Sequence, residues 1–201
     1  MKTKGNLPKK LHTTSGNLII REAVKEDPQE LAKVLRNDDI NEIVYRYGMP
    51  ATIVLPIMYK NHHPGEMYTI LVNGKIQGMF GIQTASLNLG VPWLLGSDKL
   101  TDISPRLFVK TSKVWLAQLS MKFGVLENYI LAENKIHIRW IESLGFVLTE
   151  YYENYGVMKK PFWKFRKVIN PMRIDLISPH LKKKTPLVNM GSLAAEGEKP
   201  L

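Results

Sequence analysis

Apolar and polar residues follow two different periods along this chain, and together they predict a fold with both helices and strands. A helix is expected to start at Asp27, and apolar residues at i, i+3, i+4 and i+7 spacing predict a second helix that ends at Gly48. Two β-type runs flank Asn73 and Gly74, the strongest short signal for a hairpin. After a further strand, Ser104 is expected to open a long helix.

The long helix is expected to run to about Lys122 and to pack one apolar face against a sheet. That face carries Leu107, Phe108, Val114, Trp115 and Leu119. A buried strand, another helix and a last strand follow it along the chain. This order of elements predicts a mixed sheet with helices packed on it.

Prolines and weak apolar periodicity mark the segments that we expect to be irregular. Pro50, Pro56 and Pro64 interrupt residues 49–65. From Pro161 onward the proline spacing and the low periodicity predict an extended arm. The expected organisation is a basic N-terminal arm (1–16), one folded domain (17–160) and an extended basic C-terminal arm (161–201).

The net charge of +10 is concentrated in the two ends of the chain. Residues 1–10 contain four lysines and no acid, and residues 159–201 contain ten basic residues against three acids. The stretch between them is close to neutral. Because a basic arm can meet phosphate, an acidic protein surface or only water, the charge leaves both nucleic acid and protein open as partners.

The composition also limits the chemistry that the chain can perform. It has 201 residues and no cysteine, which excludes disulfides, thiolate metal ligands and a cysteine nucleophile. His62 and His63 lie in a loop without a second pair of ligands at metal spacing, so no metal site is expected. No apolar run approaches the roughly 18 residues of a membrane span, and the Lys-rich start lacks the apolar core of a secretory signal.

Two stretches resemble the GNAT superfamily of acetyl-CoA-dependent N-acetyltransferases. One is the hairpin ILVNGKIQGMFGIQ, and the other is NYILAENKIHIRWIESLGF. Superfamily members commonly show an Asn at the end of the strand and a Leu-Gly-Phe shortly after the helix, which Asn134 and Phe146 match here. The resemblance covers roughly residues 18–155. It implies an α/β fold in which helices flank a mixed, mostly antiparallel sheet.

A narrower resemblance implies a biological context. The stretches GVPWLLGSDKL, RLFVKTSKVW and NYILAENKIHIRWIESLGF are similar to the acetyltransferase-like internal virion proteins of short-tailed bacteriophages. This similarity implies a structural or accessory virion protein whose partners are subunits of the core, portal or tail, in a ring or in several copies. Its location would be the virion, and the host cytoplasm during assembly.

The loop before the long helix departs from the GNAT pattern. Members of the superfamily hold the coenzyme A pyrophosphate in a loop of pattern Gln/Arg-x-x-Gly-x-Gly/Ala, whose backbone N–H groups contact the phosphates. Here Asp98 and Asp102 stand in that stretch, and Pro105 has no N–H to donate. We therefore expect no cofactor. If the chain did bind acetyl-CoA, the candidate residues would be Gly96, Ser97, Lys99 and Asn134.

The position of the family's proton donor is changed as well. Many members protonate the CoA thiolate with a Tyr seven residues after the Asn, and that position is Ile141 in this chain. The resemblance therefore predicts a GNAT-like domain that has lost its catalytic groups. If the domain were active, the weak candidates for catalysis would be Glu133, His137 and Tyr129.

Aromatic and basic residues alternate at the start of the C-terminal arm, where we expect a partner protein to dock. The candidate docking residues are Phe162, Trp163, Phe165 and Arg166, together with Lys182, Lys183 and Lys184 further along. Rings would anchor such an arm, and cations would set its register against an acidic surface. Rings interleaved with cations can also stack on nucleic-acid bases.

Three hypotheses follow from the sequence. The favoured one is a structural virion protein with a catalytically degenerate GNAT-like domain, whose arms dock on neighbouring subunits. The first alternative is an active acetyl-CoA-dependent N-acetyltransferase that modifies a host or virion amine. The second is a DNA-binding virion protein, which the lack of a dense basic run disfavours.

Overall fold

The computed structural model describes residues 10–13, 16–100 and 102–172, which form a single sheet with helices on both faces. The strands are β1 (Lys10–Thr13), β2 (Gly16–Glu22), β3 (Met67–Val72), β4 (Lys75–Thr84), β5 (Leu89–Gly96), β6 (Val125–Leu131), β7 (Val147–Tyr155) and β8 (Lys160–Val168). The helices are α1 (Asp27–Ala32), α2 (Asn37–Tyr47), α3 (Ala51–Lys60), α4 (Pro105–Leu119) and α5 (Lys135–Ser143). None of the described helices is long and apolar enough to cross a membrane.

The sheet has the order β1-β2-β3-β4-β5-β6-β8-β7. All neighbouring strands are antiparallel except β5 and β6, which confirms the expected mixed, mostly antiparallel sheet. The parallel pair is short, because only Leu89 and Gly90 of β5 are in register with Val125 and Leu126 of β6. Beyond these residues the two strands separate, which leaves a gap in the middle of the sheet.

Local sequence signals are confirmed at the hairpin and at the end of α2. Asn73 and Gly74 join β3 to β4 with φ angles of 51° and 76°, the left-handed pair that a type I′ turn requires. Gly48 ends α2 with a φ angle of 69°. Both places require a left-handed backbone conformation, which glycine and asparagine adopt more readily than other residues. The sequence alone therefore predicts these two turns.

Helix α3 corrects the expectation that residues 49–65 are irregular. Pro56 lies inside this helix and cannot donate to the carbonyl oxygen of Thr52. The side-chain Nε2 of Gln29, in α1, donates to that oxygen instead, at 3.2 Å. The helix also buries Val54 and Leu55 almost completely, so packing on α1 and the sheet outweighs the helix-breaking tendency of proline.

Strand β8 corrects the expectation that an extended arm begins at residue 161. It lies between β6 and β7 and pairs with both. Five of the ten basic residues counted from position 159 lie at 159–167, in this strand and the turn before it. At the other end, β1 places residues 10–13 in the sheet, although they were assigned to the N-terminal arm. Residues 1–9 and 173–201 lie outside the described residues.

The two faces of the sheet are covered by different helices. Helices α1 to α3 pack on the face that carries Met79 and Leu95, and α4 and α5 pack on the opposite face. The predicted inner face of α4 is correct for Trp115, which is buried, but wrong for Val114, which is 39% exposed. Val114 precedes Trp115 by one residue and therefore points about 100° away from it around the helix.

Candidate functional site

The gap between β5 and β6 opens into a cavity of about 170 Å³. Trp115 and Trp140 line it from the face that α4 and α5 cover, and Glu42 and Met58 line it from the face that α2 and α3 cover. Because residues from both faces of the sheet contact the same space, the cavity passes through the sheet where the two strands separate. This through-sheet cavity is the candidate functional site.

A polar cluster lies where α2 meets α5 at one end of the cavity. Asn134 caps α5, because its side-chain oxygen accepts from the backbone N–H of His137 at 3.3 Å. Its Nδ2 lies 3.4 Å from Glu42 Oε2 and 3.3 Å from His137 Nδ1. The cluster therefore connects the N-terminal cap of α5 to the carboxyl group of Glu42 on α2, which lies 92 residues away in the sequence.

Burial changes the proton affinities of two groups in this cluster. Burial, reinforced by the nearby Asp39 carboxylate, raises the pKa of Glu42 to about 7, although Arg46 opposes the change. Burial lowers the pKa of His137 to about 4, and Asp39 only partly offsets it. Near neutral pH His137 is therefore uncharged, and Glu42 is the group that can gain or lose a proton.

Arg46 bridges the gap from the α2 side. Its Nη1 donates to Asn128 Oδ1 at 2.8 Å, and Asn128 Nδ2 donates to the carbonyl oxygen of Pro92 at 2.9 Å. The guanidinium carbon lies 5.2 to 5.9 Å from three tyrosine ring centroids, those of Tyr47, Tyr129 and Tyr155. The chain's own side chains thus connect α2, β5 and β6 across the opening.

The edge of β5 that faces the gap is largely occupied by the chain itself. Antiparallel pairing with β4 turns the peptide groups of alternate residues, Pro92, Leu94 and Gly96, toward the gap. Pro92 has no N–H, and its carbonyl accepts from Asn128. Asp39 Oδ2 accepts from the Gly96 N–H at 2.7 Å. The Gly96 carbonyl accepts from the backbone N–H of Arg36 at 3.0 Å.

The loop before α4 also uses its own backbone donors. The N–H of Ser97 donates to Gln77 O at 2.8 Å, and the N–H of Leu100 donates to Ser97 O at 3.1 Å. The N–H of Lys99 donates to the Ser97 hydroxyl at 3.2 Å. Because these donors already have internal acceptors, they cannot hold a diphosphate without breaking the loop.

Gly96 has a structural role in this loop. A Cβ atom built on Gly96 would lie 2.2 Å from a side-chain methyl of Leu100. The space that a glycine would leave for a ligand in a phosphate-binding loop is therefore filled by the buried Leu100. The amino group of Lys99, the candidate cation, lies 3.7 Å from the Asp102 carboxylate.

The other site residues predicted from the sequence fall in different surroundings. His137 and Tyr129 line the cavity, whereas Glu133 is exposed. Ile141 is buried in the core beneath α5. Tyr129 stacks on Tyr155 with ring centroids 4.2 Å apart, and burial raises the pKa of Tyr155 to about 12.

The docking role predicted for the β8 residues is wrong for the buried ones. Phe162 and Phe165 are 0% and 5% exposed. Their rings belong to two different clusters of the hydrophobic core. Trp163 is partly buried and packs against Tyr151 at 4.9 Å between ring centroids. Arg166 Nε lies 3.7 Å from a Glu127 carboxylate oxygen. Lys182, Lys183 and Lys184 lie outside the described residues.

Sequence reasoning missed the charged residues of α2, of which Glu42 and Arg46 line the cavity and Asp39 accepts from the N–H of Gly96. Asp39, Ile43 and Arg46 follow one another at helical spacing on the stripe of α2 that faces the sheet. Charged residues on the buried stripe of an amphipathic helix are costly unless they are paired, so their position was a usable signal. The helical spacing does not predict their hydrogen-bond partners, which are Gly96 for Asp39 and Asn128 for Arg46.

The pKa of Glu42 leads to a stability prediction. Because the folded pKa of about 7 exceeds the ordinary 4.5, this group contributes stability below about pH 4.5 that is lost as the pH rises through 7. We expect Glu42→Gln to raise the free energy of unfolding by on the order of 3 kcal/mol near pH 8 and to change it little near pH 4.5. Urea unfolding across this pH range measures the effect.

The matched control is Glu133→Gln, which makes the same replacement at an exposed position. We expect its unfolding curves to follow those of the original chain at every pH. Equal stability of Glu42→Gln and the original chain near pH 8 would show that Glu42 is better solvated than its position in the cavity indicates.

The fold is shared with several solved proteins, among them a GNAT domain and an N-acetyltransferase. Ard1 from Thermoplasma volcanium superposes with a TM-score of 0.58 at 16% identity, over 76% of this chain and 97% of that one. The GNAT domain of S. lividans PAT gives 0.60 at 10% identity, over 80% and 96%. Spermidine N-acetyltransferase from Vibrio cholerae, solved with CoA and spermine, gives 0.56 at 12% identity, over 75% and 95%.

No protein-family model and no curated protein sequence matches the chain. The structural similarity nevertheless assigns the fold, which is that of the GNAT N-acetyltransferases. A GNAT fold can hold CoA, as the Vibrio cholerae structure shows. In this chain the N–H groups of Ser97, Lys99 and Leu100, the N–H and C=O of Gly96 and the C=O of Pro92 already have partners within the chain, so these groups are not free to bind coenzyme A in the observed arrangement.

Proposed function

We propose that this chain is a structural virion protein with a GNAT fold, that it does not transfer acetyl groups, and that it acts by binding neighbouring subunits of the particle. The observation that carries the proposal is the occupation of the gap edge by α2. The N–H of Gly96 donates to the Asp39 side chain, and its C=O accepts from the N–H of Arg36. Backbone N–H groups of the loop that follows Gly96 donate to acceptors within the chain. In the superfamily pattern that the chain resembles, backbone N–H groups of this loop contact the coenzyme A pyrophosphate.

The virion role itself rests on the resemblance of three short stretches of the sequence to internal virion proteins and on the chain ends. The segment that would bind a neighbouring subunit is residues 173–201, which follow β8 in the sequence. They carry five basic and three acidic residues, so they are only weakly basic. This small excess favours a protein partner over DNA, which requires a denser basic surface.

The proposal predicts that acetyl-CoA binds very weakly. We expect a dissociation constant weaker than ~1 mM, which corresponds to less than roughly 4 kcal/mol of binding free energy. Isothermal titration calorimetry of the full chain with acetyl-CoA measures it. The spermidine N-acetyltransferase from Vibrio cholerae, which binds CoA, is the positive control under the same conditions. Micromolar binding to this chain would contradict the proposal.

The second candidate function is an active N-acetyltransferase, and two observations favour it. Two of the solved proteins with this fold are described as a GNAT domain and as an N-acetyltransferase, those from S. lividans and Vibrio cholerae. Glu42 lies in the cavity with a pKa of about 7, which suits a group that removes a proton from an amine. This alternative predicts micromolar binding of acetyl-CoA together with acetylation of a host or virion amine that Glu42→Gln abolishes.

A further inference from the structure

Three large apolar side chains are strongly exposed at one end of the sheet. Leu87, Met121 and Met172 are 91%, 72% and 84% exposed, which makes them the three most exposed large apolar residues in the part of the chain that the structure describes. Leu87 lies in the turn between β4 and β5, Met121 lies between α4 and β6, and Met172 follows β8. We call these three residues the Leu87 patch.

Backbone hydrogen bonds hold the three segments of the patch side by side. The N–H of Gly124, which directly precedes β6, donates to the carbonyl oxygen of Asn88 at 2.9 Å. The carbonyl oxygen of Gly124 accepts in turn from the N–H of Asn170, after β8, at 3.0 Å. Each residue of the Leu87 patch lies within three positions of one member of this row. The three residues therefore lie close together, although they come from distant parts of the sequence.

A cluster of this kind is rarely left uncovered on a protein surface, because burial of apolar area is favourable. Single exposed apolar residues are normal on any protein. Here, however, the three largest exposures meet at one place. The Leu87 patch is therefore expected to have an occupant in solution.

The chain itself continues from this patch with an apolar segment. Residues 173–178, which read RIDLIS, directly follow Met172. Their apolar members are Ile174, Leu176 and Ile177. The first two alternate with charged residues, a spacing that puts two side chains on the same side of an extended segment. Such a segment can present apolar side chains to a surface and charged ones to water.

The segment is long enough to cross the whole patch. Adjacent strands lie about 4.8 Å apart, so the row from Asn170 to Asn88 spans roughly 10 Å. Six extended residues cover up to ~20 Å, which is sufficient to pass from Met172 to Leu87. A segment tethered beside its binding surface has an effective concentration in the millimolar range. It therefore has an advantage over a separate protein, which loses translational and rotational freedom when it binds.

We propose that Ile174, Leu176 and Ile177 dock on the Leu87 patch of the same chain. The residues from 179 onward then leave the domain from this end of the sheet and remain for other partners. The inference goes beyond the proposed function and does not depend on it, because it concerns a contact within one chain.

Engineered disulfides test the proposal, because the chain has no cysteine of its own. The full-length variant Ser86→Cys/Ser178→Cys places one thiol beside Leu87 and one at the end of the docking segment, and it keeps every apolar residue. At about 10 μM protein we expect the disulfide to form within one chain on the order of 100-fold more often than between two chains. Non-reducing electrophoresis and mass spectrometry of the linked peptides measure both products.

The matched control is Val147→Cys/Ser178→Cys. Val147 is 60% exposed and pairs with Arg166 of β8, so it lies at the same end of the sheet, within reach of a segment that is tethered but not docked. We expect the Ser86 pair to oxidise roughly 10-fold faster than this control, which corresponds to ~1.4 kcal/mol of docking free energy. Adding Leu176→Asp to the Ser86 pair should remove the difference, because a carboxylate is costly to bury on an apolar surface.

Equal rates for the two pairs, including no oxidation of either, would overturn the proposal, since the segment would then be tethered near the patch without docking on it. A disulfide between two chains as the main product at the same concentration would overturn it as well, and would show that a second copy covers the patch. Leu176 and Ser178 follow the last strand, so substitutions there leave every described helix and strand unchanged in sequence.

Discussion

Removing residues 161–201 is expected to unfold the chain, whereas removing 173–201 is expected to leave a folded domain. The longer deletion takes away nearly all of β8, which pairs with β6 along Val125–Leu131 and with β7 on its other side. It also removes the fully buried Phe162 and the almost fully buried Phe165. The loss of either buried ring resembles a Phe-to-Ala change, which costs about 3 to 5 kcal/mol of stability. The two losses together exceed the free energy of unfolding of many domains.

Far-UV circular dichroism and urea unfolding of the two deletion variants test this expectation. The shorter deletion is the matched control, because it removes 29 of the same 41 residues and leaves every described strand in place. A cooperative unfolding transition in the variant that lacks 161–201 would contradict the placement of β8 between β6 and β7.

The shorter deletion also tests the proposed role of the C-terminal segment. If residues 173–201 bind neighbouring subunits, the folded variant should be missing from purified particles, and mass spectrometry of those particles measures its copy number. Cross-linking of the full-length protein in the particle would identify the subunit that the segment contacts. Incorporation of the variant at the normal copy number would contradict a docking role for this segment.

Trp115→Ala is expected to lower the free energy of unfolding by about 3 to 5 kcal/mol, the range for large-to-small changes in a core. Trp115 is 2% exposed and packs on Tyr68 and Phe80, between α4 and the sheet. Urea unfolding measures the loss. The matched control is Val114→Ala on the same helix, where the side chain is 39% exposed and the expected loss is below about 1 kcal/mol.

A loss below about 1 kcal/mol for Trp115→Ala would show that α4 does not pack on the sheet through this face. A large loss for Val114→Ala would indicate instead that α4 is rotated about its axis. Val114 would then lie on the inner face, as the sequence predicts, and not on the exposed side where the structure places it.

The sequence determined the elements whose signals are local. The hairpin turn follows from Asn73 and Gly74, because few residues tolerate two successive left-handed conformations. The end of α2 follows from Gly48 for the same reason. The cap of α5 follows from Asn134, whose side chain satisfies a backbone donor three residues away.

Only the tertiary structure decided the elements whose local signals were contradictory. Helix α3 contains a proline, and it forms because α1 supplies the missing hydrogen bond and the sheet buries its apolar face. Strand β8 looks like an arm, since its aromatic and basic residues alternate without a turn signal. It is a strand because its N–H and C=O groups, and the rings of Phe162 and Phe165, find partners in β6, β7 and the core.

The candidate site divides in the same way. The position of Asn134 and the altered loop after Gly96 could be read from spacing, because each lies within one short stretch of sequence. The contacts that close the gap could not, since Arg46 and Asn128 are 82 residues apart, and Glu42 and Asn134 are 92 residues apart. Hydrogen bonds across such distances depend on how the helices pack on the sheet, and no local pattern encodes that packing.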